Sequence, residues 1–375
     1  MKIEQIELRY VEMRLVAPFE TSFGVEQDRA CIIVAMRAGG LTGYGECVAS
    51  AEPGYSYETT TTAWHILHDF IVPAALGEEL ADMPSLVARY AGVRGNPLAK
   101  AGLEMAAWDV LGQAQGKSLA QMLGGVRERV EVGVSVGIQP TTDALVERVG
   151  RYIAEGYARI KIKIKPGRDL ADARAVRMAF PNIRLQVDAN SAYQLADAPL
   201  FQQMDDLNLL LIEQPLAEDD IYDHSQLQPQ LKTPICLDES ILSADHARAA
   251  IELGACRIIN IKAARVRGLF EAKKVHDLCR ERGVPVWCGG MLETNIGRAS
   301  NVALASLPGF TLPGDISASS RYYAEDIADP PFVLNPDSTI SVPTGAGLGV
   351  RVNQKNLERF TVKREAFNFT QAKRR

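Results

Sequence analysis

The stretch that decides the fold is Arg-Ile-Lys-Ile-Lys-Ile-Lys-Pro-Gly at residues 159–167, in which isoleucine alternates with lysine. Alternation with a period of two is typical of a β-strand. One face of this strand is apolar, and the other carries Lys161, Lys163 and Lys165. On a sheet with one wet face these lysines would simply be solvated. The rest of the chain predicts strands buried on both faces, so the direction of the lysine face needs its own explanation.

Short apolar runs recur on both sides of this strand, and each is followed by a helical pattern. The runs cover residues 130–138, 158–164, 183–188, 208–213, 234–238, 256–262, 284–288 and 310–314. Helices are predicted to begin near residues 141, 169, 194, 217, 242, 267 and 297. Eight strands alternating with seven helices indicate parallel pairing, most simply a β/α barrel.

The first third of the chain has a different pattern of predicted secondary structure. Residues 30–37 and 41–48 flank Gly39-Gly40, which is a hairpin signal. One helix is predicted over 57–76 and another from Asn96-Pro97, with the asparagine as N-cap and the proline as first helical residue. This pattern predicts an α+β domain of about 125 residues. The last forty residues return to an irregular, short-strand pattern.

Composition excludes several classes of function. The chain has 375 residues, 23% of them charged, and a net charge of −5. This charge gives no indication of the basic surface that nucleic-acid binding requires. No apolar run approaches the roughly 18 residues that span a bilayer. The N-terminus shows no signal-peptide run, and the six cysteines are scattered without CxxC pairs. We therefore expect a soluble cytoplasmic protein without nucleic-acid or membrane partners.

Charged residues end five successive predicted barrel strands: Lys163, Asp188, Glu213, Asp238 and Lys262. The intervals are 25, 25, 25 and 24 residues, each one βα unit. A single charged residue at the end of a strand usually only begins a solvent-exposed loop. Five charged residues at equivalent positions of successive strands instead predict one cluster, at the end of the barrel where active sites lie.

Three carboxylates brought together need a counter-cation, and Mg²⁺ is the natural hard ion for oxygen ligands. The lysine face of residues 159–167 would then point into the barrel mouth, beside the metal. Lys165, nearer the loop, is expected to reach solvent and receives no chemical role.

The two lysines that flank the carboxylates, Lys163 and Lys262, are the candidate acid–base groups. A lysine with its ordinary pKa of about 10.4 is a poor base at neutral pH. Partial desolvation and nearby positive charge, including Lys161 and the metal, would lower that pKa. The lysines could then move protons near neutrality, while the metal holds a substrate carboxylate and stabilises the enediolate formed when the adjacent carbon loses its proton.

With these residues the sequence resembles the enolase superfamily, muconate-lactonising-enzyme subgroup, over essentially the whole chain. The stretches at residues 210–216, 233–240, 284–291 and 311–315 are similar to the N-acylamino acid racemase / o-succinylbenzoate synthase branch. The resemblance implies a (β/α)7β barrel over 126–320 with an α+β capping domain over 1–125, and a segment over 321–375 that completes both. It also implies Mg²⁺, or Mn²⁺ or Co²⁺, a small carboxylate substrate and a homo-oligomer.

By the same resemblance, two capping-domain loops close over the barrel, and here they match residues 18–24 and roughly 48–57. Phe19, Ser135, Leu292 and Tyr322 would line the side-chain and acyl pockets. Asn190 would support the metal ligands and Glu239 would buttress a lysine. Each of these six residues could equally be ordinary loop or core packing.

One position departs from relatives that act on dipeptides. Those relatives usually carry Asp-x-Asp at the eighth strand to hold an α-ammonium group, whereas this chain reads Asp315-Ile316-Ser317. The departure disfavours a free-amine substrate and fits an acylated nitrogen.

Other functions stay open at this point. A Schiff-base lyase would use a barrel lysine as nucleophile, but it leaves the three stepped carboxylates unexplained. A metal-containing barrel that only binds a ligand would not need two lysines. Within the resembled branch, racemisation of N-acylamino acids and dehydration to o-succinylbenzoate share the enediolate, and one protein can do both. We expect an isomerase, with lyase activity as the alternative.

Overall fold

A computed structural model describes residues 1–369 of the chain. Its strands are β1 Ile3–Thr21, β2 Gly24–Ala38, β3 Leu41–Cys47, β4 Arg129–Glu131, β5 Val134–Val136, β6 Arg159–Lys163, β7 Arg184–Asp188, β8 Ile212–Glu213, β9 Ile235–Leu237, β10 Ile258–Ile261, β11 Val286–Cys288, β12 Ala328–Asp329, β13 Thr339–Ser341, β14 Arg351–Val352 and β15 Thr361–Asn368.

The α-helices are α1 Thr60–Ile66, α2 Val72–Ala75, α3 Met83–Arg89, α4 Pro97–Gln115, α5 Leu119–Leu123, α6 Thr142–Ala154, α7 Asp169–Ala179, α8 Ala198–Met204, α9 Ile221–Leu227, α10 Ala244–Glu252, α11 Leu269–Glu281, α12 Asn295–Ala305 and α13 Gln354–Phe360. A π-helical turn, Leu67–Ile71, joins α1 to α2. Short 3₁₀ turns occupy Leu195–Asp197, Asp205–Leu207, Gln228–Gln230 and Ser319–Arg321.

Seven parallel strands form the barrel wall in the order β5 to β11. The predicted eighth strand, residues 310–314, closes the wall through two bridges: Phe310 pairs with Val286, and Gly314 pairs with Val132. Helices alternate with these strands, as the sequence pattern predicted. The enolase-type β/α barrel with an α+β cap is therefore the fold of this chain.

The capping sheet has four antiparallel strands in the order β15-β1-β2-β3, so the C-terminal strand pairs with the N-terminal one. The β2–β3 hairpin turns at Gly39-Gly40, where both residues have positive φ, as predicted. Helix α4 packs directly on β3. A Cβ at Gly45 would lie 2.1 Å from the carbonyl oxygen of Gly102, so this close approach requires glycine.

The predicted N-cap of α4 is wrong. Asn96 is left-handed (φ 52°) and makes no side-chain cap. The carboxylate of Glu58 accepts hydrogen bonds from the backbone N–H groups of Leu98 and Ala99 instead, at 2.7 and 3.1 Å. The first turn of α4 is buried and is capped from a distant segment of the chain.

Two further glutamates also accept hydrogen bonds from the N-terminus of a helix. Unlike Glu58, each of these two joins the cap to the barrel. Glu104 on α4 accepts from the N–H groups of Leu269 and Phe270 at the start of α11. Glu46 on β3 accepts from Thr294 and Gly297 at the start of α12. Anionic acceptors at helix N-termini satisfy donors that the helix itself cannot. Each glutamate therefore helps to place the cap over the mouth of the barrel.

No helix within residues 1–369 is both long and apolar enough to cross a membrane. The six cysteines are all buried and unpaired.

Candidate active site

The five stepped charged residues lie together at the carboxyl ends of five adjacent strands. Lys163, Asp188 and Glu213 are the last residues of β6, β7 and β8, while Asp238 and Lys262 directly follow β9 and β10. All five are buried. The lysine face of β6 therefore points into the barrel, which answers the question raised by its alternating pattern.

Lys161 joins three carboxylates at the centre of this group. Its Nζ lies 2.9 Å from Asp188 Oδ2, 2.8 Å from Glu213 Oε2 and 2.5 Å from Asp315 Oδ2. The ammonium also lies over the ring of Trp287, 4.9 Å from its centroid. These carboxylates outweigh the effect of burial and raise the pKa of Lys161 well above its ordinary value. Lys161 is thus a fixed positive charge.

Lys163 is held entirely from the barrel. Its Nζ donates to Asp188 Oδ2 at 2.7 Å and to Asn190 Oδ1 at 2.6 Å. Asn190 in turn donates its amide to Glu239 Oε1 at 2.8 Å. Asn190 and Glu239 therefore form a hydrogen-bonded chain behind Lys163, and their supporting roles stay a prediction. Burial and the nearby charge of Asp188 raise the pKa of Glu239 to about 7.

Lys262 has a different set of partners. Its Nζ donates to Asp238 Oδ2 at 2.9 Å and to the hydroxyl of Tyr55 at 3.1 Å. The Arg265 guanidinium donates to the other oxygen of Asp238. Asp238 is therefore shared by a lysine, an arginine and the Tyr55 hydroxyl, which donates to it at 3.3 Å.

Burial and the anionic protein groups around Lys262 act on its pKa in opposite directions. Burial lowers this pKa, as expected, but Tyr55 and the carboxylates of Glu239, Glu213 and Asp188 raise it by more. For Asp188, burial raises the pKa, and Lys161 and Lys163 lower it by more, so its carboxyl stays ionised. The anionic groups around Lys262 thus favour its protonated form, and this lysine becomes a base only once it has lost its proton.

A cavity of about 460 Å³ opens above these groups. Lys163 and Lys262 both line it, and so do all four residues predicted to bind substrate: Phe19, Ser135, Leu292 and Tyr322. Residues from both predicted capping loops also line it, among them Phe23, Gly54 and Tyr55. The structure thus brings every candidate substrate residue to one cavity, and their contact with substrate stays a prediction.

Lys165 does not simply reach solvent as predicted. Its side chain is 40% exposed, and its Nζ lies 3.0 Å from Glu20 Oε1 in the first capping loop. The backbone N–H of Ile138 also donates to the Glu20 carbonyl at 2.9 Å. Glu20 therefore ties the loop to two neighbouring strands of the barrel, a contact that joins distant segments and leaves no local sequence signal.

Asp315, the first residue of the Asp315-Ile316-Ser317 stretch, contacts two cations. Its Oδ1 lies 2.6 Å from Arg159, and its Oδ2 lies 2.5 Å from Lys161. Burial raises the pKa of Asp315, but these two cations lower it by more, to about 2. Both oxygens of this carboxylate are therefore engaged by buried cations of the barrel itself.

The donor set fits a hard cation by its chemistry: Asp188, Glu213 and Asp238 are buried carboxylates on three adjacent strands, and ammonium or guanidinium groups balance each one. Within residues 1–369, no three His, Cys, Asp or Glu side chains are arranged as a metal site, and Asp238 contacts Lys262 and Arg265. Convergence of the three carboxylates on one ion stays a prediction.

Sequence reasoning missed three groups that contact the site: Tyr55, Arg159 and Arg265. Arg159 begins the same alternating strand as the lysines, so its inward direction follows from the period of two. Arg265 lies three residues after Lys262, in a turn whose direction the pattern does not specify. Tyr55 comes from a capping loop, and nothing in its neighbourhood indicates contact with residue 262.

Residues 144–356 match the family model described as enolase C-terminal domain-like. Residues 5–124 match that of the mandelate racemase / muconate lactonizing enzyme N-terminal domain. The chain belongs to the enolase superfamily.

Several members of this superfamily are similar over nearly their full length. An o-succinylbenzoate synthase from Geobacillus kaustophilus is 52% identical, covering 99% of both chains. An N-succinylamino acid racemase from Amycolatopsis is 51% identical, covering 93% of this chain and 95% of the relative. A crystal structure of an enolase-superfamily member from Listeria innocua superposes with a TM-score of 0.94 at 40% identity, covering 98% and 99% of the two chains. This chain is therefore an enzyme of the enolase superfamily.

Proposed function

We propose that this enzyme removes the α-proton of an N-acylamino acid and returns a proton to the opposite face, which racemises the substrate. The observation that supports this most is the position of Lys163 and Lys262. They flank the three carboxylate strands β7, β8 and β9 and line the same cavity. A substrate carboxylate lying over the central strands would show opposite faces of its α-carbon to the two amines.

The chemistry assigned to the two lysines is symmetric. The lysine that begins the turnover without its proton accepts the α-proton at Nζ, which leaves an enediolate. The other lysine, still protonated, donates from its Nζ to the opposite face. Phe19 and the second capping loop cover the cavity and would limit exchange with bulk water. Every inversion therefore uses both amines.

Members of the superfamily bind Mg²⁺, and we assign Asp188, Glu213 and Asp238 to hold Mg²⁺, Mn²⁺ or Co²⁺ here. When bound, such an ion supplies positive charge that stabilises the developing negative charge on the substrate and lowers the pKa of the lysines. Lys161 keeps its own positive charge between Asp188 and Glu213.

Two features support an N-acylated substrate: the contacts of Asp315 and the apolar side chains that line the cavity. Both oxygens of Asp315 are engaged by Arg159 and Lys161, so the carboxylate has little capacity left for a substrate ammonium. Phe19, Leu292 and Tyr322 add apolar surface to the same cavity. An uncharged acylated nitrogen and an apolar side chain fit these surroundings better than a free amine.

Dehydration to o-succinylbenzoate is a second candidate, because the relative at 52% identity carries that name. It begins with the same removal of a proton next to a carboxylate, so the residues above serve it equally. It needs only one lysine, which takes the α-proton as a base and returns it to the departing hydroxyl group so that water leaves, while the other lysine acts as a fixed charge.

The experiment that tests both candidates is turnover by the purified, Mg²⁺-loaded protein. Each pure enantiomer of an N-succinyl or N-acetyl amino acid is incubated in heavy water and followed by proton NMR, and the cyclohexadiene precursor of o-succinylbenzoate is assayed in parallel. Inversion with deuterium at the α-carbon supports racemisation. Dehydration without exchange of any N-acylamino acid favours the second candidate. Borohydride trapping of a carbonyl substrate would contradict both.

A further inference from the structure

Tyr55 connects the capping domain to one of the two lysines. It lies on the segment between β3 and α1, and its side chain reaches across to the barrel. Its hydroxyl lies 3.1 Å from Lys262 Nζ and 3.3 Å from Asp238 Oδ1. The ammonium also sits over the Tyr55 ring, 4.3 Å from the centroid. One tyrosine thus contacts the amine through both its hydroxyl and its ring.

These contacts restrict a side chain that is otherwise flexible. A lysine side chain has many rotamers, and much of this freedom must be lost before its amine can point at a fixed carbon atom. Asp238 restrains Lys262 from the barrel side at 2.9 Å. Because Arg265 also pairs with Asp238, this carboxylate is shared, and Tyr55 supplies the restraint from the opposite domain.

The other lysine is held in a different way. Lys163 donates to Asp188 and Asn190, which both belong to the barrel wall or the turn that follows it. Neither partner comes from the cap. The two amines are therefore unequal: a side chain of a capping loop contacts Lys262 directly, whereas the cap reaches Lys163 only through Asn190, whose backbone carbonyl accepts from Ser22 Oγ at 3.3 Å.

We infer that Tyr55 is a positioning residue for Lys262, so that closure of the loop places one amine and not the other. This inference rests on the proposed proton transfer by the two lysines. It makes the face served by Lys262 depend on Tyr55, while the face served by Lys163 does not. Loss of the Tyr55 hydroxyl then affects the two enantiomers of one substrate differently.

The test compares Tyr55→Phe with Tyr222→Phe, the same chemical change at an exposed position of α9. The enantiomer served by Lys262 is first identified as the one whose exchange is lost in Lys262→Ala. In Tyr55→Phe, exchange of that enantiomer in heavy water should slow at least tenfold, and inversion from either enantiomer should slow with it. Exchange with retention of the other enantiomer should stay within about twofold of wild type, which also shows that the variant is folded. Tyr222→Phe should match wild type throughout.

A second measurement does not depend on turnover. Trace acetylation with acetic anhydride, read by mass spectrometry, reports the relative accessibility of the Lys163 and Lys262 amines. Tyr55→Phe should raise labelling of Lys262 severalfold and leave that of Lys163 unchanged. If wild type exchanged neither enantiomer, the proposed function would fail while this labelling still tested Tyr55. Equal slowing of both enantiomers, or unchanged labelling of Lys262, would overturn the inference.

Discussion

Lys161 Nζ lies 2.5 Å from Asp315 Oδ2, and this contact joins the second strand of the barrel to the eighth. Arg159 holds the other oxygen of the same carboxylate at 2.6 Å. The three charges are buried at the centre of the barrel, where an unpaired charge is costly. Asp315 thus balances the positive charges of Arg159 and Lys161, which lie on the lysine face of β6.

We therefore expect Asp315→Asn to destabilise the protein by about 3–5 kcal/mol, because it leaves Arg159 and Lys161 buried with less compensating charge. Urea unfolding measures the change. Asp337→Asn is the matched control, since Asp337 is an exposed partner of Arg129 at 3.4 Å. It should change the free energy of unfolding by less than about 1 kcal/mol. Equal, small effects of the two substitutions would show that the buried pair is not needed.

The same carboxyl makes a prediction about acid stability. The pKa of Asp315 is lowered to about 2 in the folded protein, against about 3.9 for an unperturbed aspartate. A lowered pKa stabilises the fold above the unfolded value, and that stabilisation is lost as pH falls from about 4 toward 2. Unfolding free energies between pH 4.5 and 2.5 should therefore fall more steeply in wild type than in Asp315→Asn. Parallel curves would contradict the lowered pKa.

Substrate selectivity is a separate consequence of the engaged carboxylate. With both oxygens of Asp315 paired, N-acetyl and N-succinyl amino acids should be turned over at least tenfold faster, in kcat/KM, than the free amino acids or dipeptides of the same side chain. Polarimetry on matched pairs of substrates measures this ratio. Faster turnover of the free amines would remove the argument from Asp315.

Glu46 predicts a stability change near neutral pH with the opposite sign. Burial and the neighbouring Glu293 raise its pKa to about 7. A raised pKa stabilises the fold fully below the unfolded value of about 4.3, and this contribution disappears as pH rises through 7. Glu46→Gln cannot ionise, and its carbonyl oxygen can still accept from the N–H groups of Thr294 and Gly297.

Urea unfolding of wild type and Glu46→Gln at pH 5 and pH 8 tests this. Wild type should lose up to about 3 kcal/mol relative to the variant between the two values. Glu12→Gln, in the exposed part of β1, is the control and should show no such change. A difference that stayed constant with pH would mean that Glu46 is ionised throughout, stabilised by the N-terminus of α12.

The sequence was informative wherever a regular pattern carried the information. The regular interval of about 25 residues predicted that five charged residues cluster at the strand ends: Lys163, Asp188, Glu213, Asp238 and Lys262. The alternation of apolar runs with helical patterns over residues 130–314 predicted every strand of the barrel. The alternation of isoleucine and lysine in β6 also predicted that Lys161 lies on the same, inner face as Lys163. These features repeat along the chain, so one sequence is enough to read them.

Contacts between distant segments left no such pattern. Glu58 caps α4 from another segment, so the local Asn96-Pro97 signal predicted the right helix with the wrong cap. The partner of Lys165 is Glu20, in a capping loop. The direction of the Lys262 pKa depends on how many carboxylates surround it, which only the folded arrangement determines.

The proposed metal ligands are tested by Glu213→Gln. Glu213 accepts from Lys161 at 2.8 Å and from the Asn260 amide at 2.8 Å, so the variant alters one charge with little change in shape. It should bind less Mg²⁺ or Mn²⁺ in equilibrium dialysis and lose most of its activity. Chelation should inactivate wild type, and added Mg²⁺ should restore it. Full activity of Glu213→Gln at saturating metal, or activity that survives chelation, would remove these carboxylates from the metal site.

The central claim is that Lys163 and Lys262 act on opposite faces of one α-carbon, and the most direct measurement is proton NMR of Lys163→Ala and Lys262→Ala with each pure enantiomer in heavy water. Both variants should lose racemisation by far more than the tenfold that about 1.4 kcal/mol represents. Lys163→Ala should still exchange the α-proton of one enantiomer without inversion, and Lys262→Ala should still exchange that of the other. If both variants kept exchange with the same enantiomer, one lysine would be a fixed charge and the two-faced mechanism would be wrong.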